Sequence, residues 1–165
     1  MEIRKATQAD YKSIALALRN KNISYITPAH ALTDIKNEQL FVMCENGKVI
    51  AQCALVHEPM FQYYAMKRMT IYNKANQGRG IAKAFISFFC EMNLPALGCT
   101  PWADNAPMQH LLRKFGFEYQ YTFLENYQFF KKNCLTNPKG YAIIKIQKRK
   151  GIDNYGKKNE YYNQF

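Results

Sequence analysis

The sequence predicts a single domain of the mixed α/β class. Its 165 residues fit one domain, since domains commonly contain about 100–200 residues, and 48% of the residues are hydrophobic, enough for a sizeable core. Two apolar runs, 39–44 and 49–56, flank Asn46-Gly47, a dipeptide that favours a tight hairpin turn. Over 63–92, an apolar segment, a glycine-bearing loop and a helix with one apolar face follow one another. Antiparallel and helix-linked strands together indicate a mixed sheet.

Capping and breaking residues set the limits of the other elements. Thr7 or Asp10 is suited to cap the first helix, Pro28 precedes the second, Pro95 ends the third and Gly116 ends the fourth. The predicted helices cover about 9–20, 29–37, 81–92 and 107–115. The predicted strands outside the hairpin cover about 2–7, 63–72, 96–100, 118–123 and 141–147, the last of them after the turn Asn137-Pro138-Lys139-Gly140.

Charge is unevenly distributed along the chain. The sequence has 23 Lys and Arg against 12 Asp and Glu, a net charge of +11. Residues 131–165 hold nine of the basic and two of the acidic residues, so their net charge is +7 and that of residues 1–130 is +4. A basic body suits an anionic small molecule. A basic tail is either a solvated appendage or a contact for nucleic acid or an acidic membrane surface.

The cysteines and the N-terminus bear on the compartment. The five cysteines, at 44, 53, 90, 99 and 134, are widely spaced without a C-x-x-C pair, which predicts neither a disulfide framework nor a zinc site. Reduced thiols in a cytoplasm are the simplest interpretation. No apolar stretch follows the N-terminus and no window approaches 18 apolar residues, so we expect no export signal and no membrane span.

The most informative segment is the loop Gln77-Gly78-Arg79-Gly80-Ile81-Ala82 between a predicted strand and a predicted helix. Small residues let the backbone approach a ligand closely, and the free N–H groups of a helix's first turn attract an anion such as pyrophosphate. The alternative is a glycine turn that merely joins strand to helix. The spacing matches neither G-x-G-x-x-G nor G-x-x-x-x-G-K-[ST], which disfavours nicotinamide and nucleotide-hydrolase functions.

Together with a second motif, this loop resembles the signature of the GCN5-related N-acetyltransferases, the GNAT superfamily. The loop matches the family's acetyl-CoA signature, and Asn105-x5-Leu111-Leu112-x-Lys114-x-Gly116-Phe117 is similar to its second conserved block. The order of predicted elements over residues 2–147 also agrees. The resemblance implies a GNAT-like acyl-CoA N-acyltransferase domain over 1–147, with helices flanking a central mixed sheet that is splayed between two strands. Residues 148–165 carry few aliphatic side chains, and we expect them to form a basic, mobile tail.

Under this resemblance, acetyl-CoA is the acetyl donor. Its pantetheine arm would pair with the backbone at the end of the strand before the loop, and the loop N–H groups would hold its pyrophosphate. Lys74, Arg79 and Lys83 would either screen the phosphates or be solvated. The residues implied for cofactor binding are Met69, Thr70, Ile71, Tyr72, Gln77, Gly78, Arg79, Gly80, Ile81, Ala82, Lys83, Asn105 and Leu112. Asn105 is also suited to cap a helix, and the two roles are compatible.

Acetyl transfer to an amine requires a base, a polarised thioester carbonyl and a route for the leaving thiolate. The candidate catalytic bases are Glu58, His57 and Asp104, each with a structural alternative as a solvated strand end or a helix cap. The segment 65–72 contains no carboxylate, so the commonest position for a base in the family is empty. A backbone N–H near 69–71 would polarise the carbonyl.

The departure from the family is clearest at the leaving-group acid. Relatives usually have a Tyr where this chain has Leu112, and leucine cannot donate a proton. Tyr119 and Tyr121 are nearby candidates. A dedicated acid is also dispensable, because a thiol with a pKa of about 8.5 leaves readily as its anion.

The resemblance implies an acetyl-CoA-dependent N-acetyltransferase that acts on a primary amine of a small molecule, a peptide or an aminoacyl group. Its acceptor pocket would be lined by aromatic residues that could equally belong to the core, namely Tyr25, Tyr63, Tyr64 and Trp102. The alternative is a non-catalytic module of the same fold that binds RNA or protein through its basic surface. We expect no metal and no membrane association, and either a monomer or a homodimer. RNA is one candidate partner of the basic tail, whose alternative is a solvated appendage.

Overall fold

The computed structural model describes residues 1–21 and 26–134. Within these ranges, seven strands form one sheet in the order β1-β2-β3-β4-β5-β7-β6. The strands are Glu2–Lys5 (β1), Leu40–Glu45 (β2), Lys48–Glu58 (β3), Tyr63–Ile71 (β4), Ala96–Cys99 (β5), Glu118–Phe123 (β6) and Tyr127–Asn133 (β7). The α-helices are Tyr11–Lys21 (α1), Pro28–Lys36 (α2), Ile81–Cys90 (α3) and Ala106–Lys114 (α4), and a 3-10 turn, Gln8–Asp10, precedes α1.

The predicted mixed α/β fold is confirmed. Neighbouring strands are antiparallel except β4 and β5, which are parallel. The hairpin of β2 and β3 turns at Asn46 and Gly47, whose φ angles of 50° and 73° are both positive, as a two-residue hairpin turn of this type requires. Helix α2 begins at Pro28 itself, one residue before the predicted start, and Thr27 caps it, since its side chain accepts a hydrogen bond from the His30 N–H.

Strand β7 is not among the predicted strands. It lies between β5 and β6 and makes β6 the edge of the sheet. The strand escapes detection because Phe129 and Phe130 are both buried, so it lacks the alternation of a half-exposed strand. The predicted strand over 141–147, the turn before it and the basic tail over 148–165 lie outside the described residues.

The sheet separates two apolar layers. On one face, α3 and α4 cover a core that includes Phe85, Phe89 and Phe130, all fully buried. On the other face, α1 and α2 pack on β2 and β3 around Ile14 and Ala31. The described helices of this second face leave β6 and β7 uncovered, and large side chains of β6 are exposed there.

A row of seven aromatic rings crosses the uncovered face. Because Phe130 belongs to the α3–α4 core, the neighbouring Phe129 points to the opposite face. Successive ring centroids are 4.5–6.3 Å apart, in the range of favourable aromatic contacts. We call Phe61, Tyr63, Phe129, Tyr121, Phe123, Tyr127 and Trp102 the aromatic row. A Cβ atom on Gly98 of β5 would lie 2.5 Å from the Tyr63 ring and 2.9 Å from the Phe129 ring. These two rings therefore pack directly on the backbone of Gly98.

A bulge interrupts β4 at Arg68 and Met69. Lys67 is paired with Ala54 and Thr70 with Gln52, so two residues of β4 face one residue of β3. Arg68 has a φ of 54°, a conformation that costs a side-chain-bearing residue about 1–3 kcal/mol and persists only where its surroundings hold it.

The side chain of Arg68 anchors the bulge to α2. Its guanidinium donates two hydrogen bonds of 2.6 and 2.7 Å to the carboxylate of Asp34. Asp34 is 3% exposed and also accepts a hydrogen bond of 2.8 Å from Gln39 Nε2. Two-point pairing of this kind fixes orientation as well as distance. A buried ion pair therefore holds the strand in its irregular shape.

We expect Gly98→Ala to lower the free energy of unfolding by about 1–3 kcal/mol, the usual cost of overpacking, because the added methyl group meets the rings of Tyr63 and Phe129. Urea denaturation of the parent and the variant measures this. In a Tyr63→Ala background the same substitution should cost about 1 kcal/mol less, since the nearest obstacle is gone. An equal cost in both backgrounds would contradict the steric explanation.

We expect Asp34→Asn to destabilise the protein by about 3 kcal/mol, because it leaves the Arg68 guanidinium without its charged partner in a largely buried position. The matched control is Glu38→Gln, which breaks an exposed pair with Lys5 at 3.7 Å and should change stability by less than about 1 kcal/mol. Urea denaturation of both variants gives the comparison. Similar losses in the two would show that the Asp34–Arg68 pair does not hold the bulge.

Candidate functional site

The sheet opens between β4 and β5. The two strands pair over only three residues each, with Tyr64–Met66 beside Leu97–Cys99. β4 continues to Ile71, and no strand of the described residues pairs with its free edge beyond Met66. The expected splayed sheet is thus present, and the gap between the end of β4 and the segment after β5 is the centre of the candidate site.

Hydrogen bonding shows which peptide groups face this gap. The Tyr72 N–H donates to the Ile50 carbonyl at 3.0 Å, while Ile71 itself stands opposite Ala51. In an antiparallel pair, a residue next to a hydrogen-bonded position directs its own N–H and C=O groups away from the partner strand. The N–H and C=O groups of Ile71 therefore point away from β3 and face the gap. The Lys21 ammonium donates to the Ile71 carbonyl from that side. The end of β4 therefore offers unpaired backbone groups to a ligand in the gap.

The glycine loop follows β4 after a short 3-10 turn, Lys74–Asn76. Gly78 and Gly80 have φ angles of 75° and 77°, and Gly80 immediately precedes α3. A Cβ atom on either glycine would meet nothing within 4 Å, so the left-handed backbone, rather than crowding, favours glycine here. Within the described residues, the N–H groups of 78–83 donate to no acceptor. Free N–H groups converging at a helix N-terminus are suited to bind an anion.

Arg79 is already engaged elsewhere. Its guanidinium donates to the two carboxylate oxygens of Glu45 at 2.6 and 2.9 Å and to Asn76 Oδ1 at 2.8 Å. The hydrogen bonds from Arg79 lower the pKa of Glu45, and the same bonds raise the pKa of Arg79. Arg79 thus connects the loop to the end of β2. An anion at the loop would therefore be bound by the backbone N–H groups and by Lys83 or Lys74 rather than by Arg79.

A surface groove of about 640 Å³ flanks the first turn of α3. Ile3, Met43 and Phe88 give it an apolar lining, and Lys83 adds a positive charge. A ligand whose phosphates contact the loop would have this groove beside it.

The two residues singled out from the second motif have different surroundings. Asn105 begins α4 and accepts a hydrogen bond of 3.1 Å from the Met108 N–H through Oδ1, which confirms its capping role. Leu112 is fully buried in the core beneath α3 and α4. The cofactor contact expected for Leu112 is therefore corrected, because its side chain has no exposed surface for a pantetheine chain.

The three candidate bases lie in different places. Glu58 accepts a hydrogen bond from the Lys67 ammonium on the face of the aromatic row, but its backbone stands opposite Tyr63, at the end of β4 away from the gap. His57 points to the opposite face and packs against Tyr64, with ring centroids 4.7 Å apart. Asp104 lies in the segment after β5, where its carbonyl accepts from the Ala106 N–H at 2.9 Å. Glu58 is thus the candidate that shares a face with the exposed aromatic rings.

The aromatic candidates separate in the same way. Tyr63 and Trp102 belong to the aromatic row, and Trp102 stacks on Tyr127 with centroids 4.5 Å apart. Tyr64 packs against the α3–α4 core. Tyr25 lies outside the described residues. Tyr119 and Tyr121 are on β6, two strands away from β5, at a distance of about 10 Å that keeps them from the gap.

Sequence reasoning missed Lys21, Asp34 and Gln52. Lys21 contacts the free edge of β4, and burial lowers the pKa of its ammonium group. Asp34 holds the bulge, and Gln52 is fully buried beneath it. These residues lie 16–50 positions from their partners, and no local pattern marks them.

Two further properties concern only the part of the chain that the structure describes. No group of three or more His, Cys, Asp or Glu residues there is placed to hold a metal ion. None of its helices combines the length and apolar character needed to cross a membrane.

Among known proteins, only solved structures resemble this chain, and the resemblance concerns the fold. No protein-family model and no curated protein matches the sequence. Solved structures do match. A GNAT-family acetyltransferase from Streptococcus agalactiae is 22% identical, with a TM-score of 0.67 over 80% of this chain and 94% of that one. The ribosomal-protein-S18-alanine N-acetyltransferase from Escherichia coli is 12% identical, with a TM-score of 0.68 over 85% of this chain and 98% of that one.

A third match is the structure of yncA, a putative acetyltransferase from Salmonella typhimurium solved with its cofactor acetyl-CoA. It is 15% identical, with a TM-score of 0.66 over 83% of this chain and 95% of that one. All three structures align over at least four fifths of this chain. This chain has the fold of the GNAT acetyltransferases.

Proposed function

We propose that this protein is an N-acetyltransferase that uses acetyl-CoA and acetylates a primary amine. The observation that carries the proposal is the continuity between the unpaired edge of β4 and the free N–H groups of 78–83. One extended ligand with peptide-like amides at one end and a pyrophosphate at the other would satisfy both. Acetyl-CoA has both groups, and the Salmonella neighbour of the same fold is solved with it.

The backbone supplies most of the proposed cofactor contacts. The pantetheine amides would pair with the N–H and C=O of Ile71 as an added strand. Lys21, which donates to that carbonyl, would move aside or donate to the ligand instead. The pyrophosphate would accept hydrogen bonds from the N–H groups of 78–83 at the start of α3, with Lys83 or Lys74 nearby for charge. Asn105 is exposed and lies at the end of the segment that follows β5 and borders the gap. Its side chain would contact the pantetheine as well as cap α4.

The proposed reaction is direct attack of a neutral amine on the thioester carbonyl. The amine nitrogen forms a bond to the acyl carbon, the C–S bond breaks, and CoA leaves as its thiolate. Because the thiol of CoA has an ordinary pKa near 8.5, departure needs no side-chain acid. This agrees with the burial of Leu112. The proton lost by the nitrogen would pass to Glu58, directly or through water.

The acceptor would approach from the face that carries the aromatic row. The other face at this point is filled by the core beneath α3 and α4. On the open face, Trp102 and Tyr127 border the β5 side of the gap. On the β4 side, Lys67 is the first residue beyond the pairing with β5, and its ammonium contacts Glu58. Amines of small molecules, peptides or aminoacyl groups are the proposed acceptors.

Acetyl-CoA should stabilise the protein against heat. At 100 times its dissociation constant, a ligand adds about 2.7 kcal/mol, which raises the Tm of a protein of this size by roughly 5–10 °C. Differential scanning calorimetry with acetyl-CoA measures the shift, and acetyl-pantetheine, which lacks the pyrophosphate, is the control expected to give a smaller one. No shift at millimolar acetyl-CoA would contradict the proposed function. Tight binding without acetylation of any amine in a broad panel would favour the non-catalytic alternative.

Gly80→Val should weaken acetyl-CoA binding by about 100-fold or more, because the side chain projects where the phosphates meet the N–H groups, and hydrogen bonds to charged groups are each worth about 1.5–3 kcal/mol. Gly116→Val is the matched control, since Gly116 has the same φ of 77° and lies at the far end of α4. Isothermal titration calorimetry compares the affinities. Equal affinity of the Gly80 variant and the parent would show that the loop is only structural.

A further inference from the structure

The outer edge of β6 is exposed and apolar. Among the described residues no strand pairs with it, because β6 is the last strand of the sheet. Tyr121 and Phe123 are 54% and 38% exposed, and Leu124 after the strand is 76% exposed. Natural edge strands avoid further pairing through Lys, Pro, a bulge or shortness. β6 has six residues without Lys, Arg or Pro, and its bulge, at Gln120, lies before these exposed side chains. Such an edge is suited to pair with a further strand.

The chain leaves the sheet close to the start of this edge. β7 ends at Asn133, and Lys131 stands opposite Glu118, the first residue of β6. The outer edge of β6 lies two strand spacings, about 10 Å, from β7, whereas the seven residues 134–140 extend over at most about 25 Å. The far end of β6 is about 22 Å away, too far for a segment that contains a turn. Residues 134–140 therefore reach the start of β6 and not its end.

The segment that follows, 141–147, matches β6 in length and pattern. It lies outside the described residues, and the alternation of its sequence predicts a strand. When it is placed parallel to β6, first residue beside first residue, two isoleucines fall next to the two exposed rings. The pairs are Ile144 with Tyr121 and Ile146 with Phe123. Contacts between aromatic and β-branched side chains on neighbouring strands stabilise a sheet.

The charges agree with the same alignment. Glu125, in the turn after β6, is exposed and forms no salt bridge among the residues that the structure describes. In the parallel alignment it lies beside Lys148, the first residue of the basic run Lys148-Arg149-Lys150. Opposite charges at neighbouring positions are favourable. A short tether also gives the segment a local concentration in the millimolar range, which favours it over a strand from another molecule.

We propose that residues 141–147 pair with the free edge of β6 as a further strand, parallel to β6, and cover the outer end of the aromatic row. The basic run then lies at the turn between β6 and β7. The end of the row at Trp102, beside the gap, stays open. Docking of this segment does not depend on the proposed function, because neither cofactor nor acceptor takes part in it.

Hydrogen exchange of the full chain, read by mass spectrometry over 118–123, tests the docking. An edge strand has only about half of its N–H groups bonded to a neighbour, whereas a strand paired on both sides has nearly all of them bonded. We expect the parent to protect nearly all N–H groups of β6. Ile144→Asp should speed exchange of the outward-facing half by about tenfold or more, because it would bury a carboxylate against Tyr121. Ile152→Asp, outside the docked segment, is the matched control and should change nothing.

A charge reversal tests the direction of the added strand. Glu125→Lys should speed exchange over 118–123 by about two- to fivefold, and combination with Lys148→Glu should restore the parent rate. Lys157→Glu, further along the chain, is the matched control and should restore nothing. Rescue of Glu118→Lys by Lys148→Glu would instead overturn the parallel direction.

The remaining outcomes decide what covers the edge. Fast exchange of half of the β6 N–H groups in the parent, or equal exchange in the parent and a folded Ile144→Asp variant, would overturn the proposal. Protection that rises with protein concentration and survives Ile144→Asp would assign the edge to a second copy of this chain and overturn it as well. Protection that Ile144→Asp removes at every protein concentration would support it. None of these measurements involves acetyl-CoA, so the proposed function is tested separately.

Discussion

The divergence of β5 from β4 is the constraint on which the site depends. After Cys99 the chain reaches Pro101, which has no N–H to donate to a strand ladder. The segment instead stays with β7, where Gln128 N–H donates to the Pro101 carbonyl at 3.1 Å and Ala103 N–H donates to the Asn126 carbonyl at 2.7 Å. Since β5 and its continuation follow β7, the end of β4 is left without a neighbour. The open edge is thus a consequence of pairing on the opposite side of β5.

A second constraint acts on the shape of the open edge itself. The bulge places one extra residue in β4 close to the point where pairing with β5 ends. The buried ion pair with Asp34 offsets the unfavourable left-handed backbone conformation of Arg68. An irregular strand of this kind needs an outside anchor, because an extended strand would otherwise satisfy more backbone hydrogen bonds. The anchor comes from α2, which belongs to the apolar layer on the face of the proposed acceptor. Packing of that layer and the geometry of the gap are therefore coupled.

Much of this architecture could be predicted from local signals in the sequence. The turn at Asn46-Gly47, the apolar face of α3 and the cap at Asn105 each follow from a few neighbouring residues. Long-range partners could not be predicted in this way. Asp34 looks in the sequence like an ordinary polar residue of a helix, and no neighbouring residue indicates that it will pair with Arg68. Leu112 shows a different limit, since motif spacing placed it near the cofactor while the apolar face of α4 directs it into the core.

The contacts proposed for acetyl-CoA and for the acceptor differ in kind, since the first use the backbone and the second use side chains. The contacts proposed for acetyl-CoA use N–H and C=O groups, which every residue except proline supplies in full, so substitution along β4 and the loop is tolerated where Gly78 and Gly80 keep their left-handed backbone. Structures only 12–22% identical to this chain retain the fold over at least 80% of its length. The aromatic row, in contrast, consists of side chains and rests on Gly98. In the proposed function, recognition of the donor therefore depends on the backbone, and selectivity for the acceptor depends on side chains.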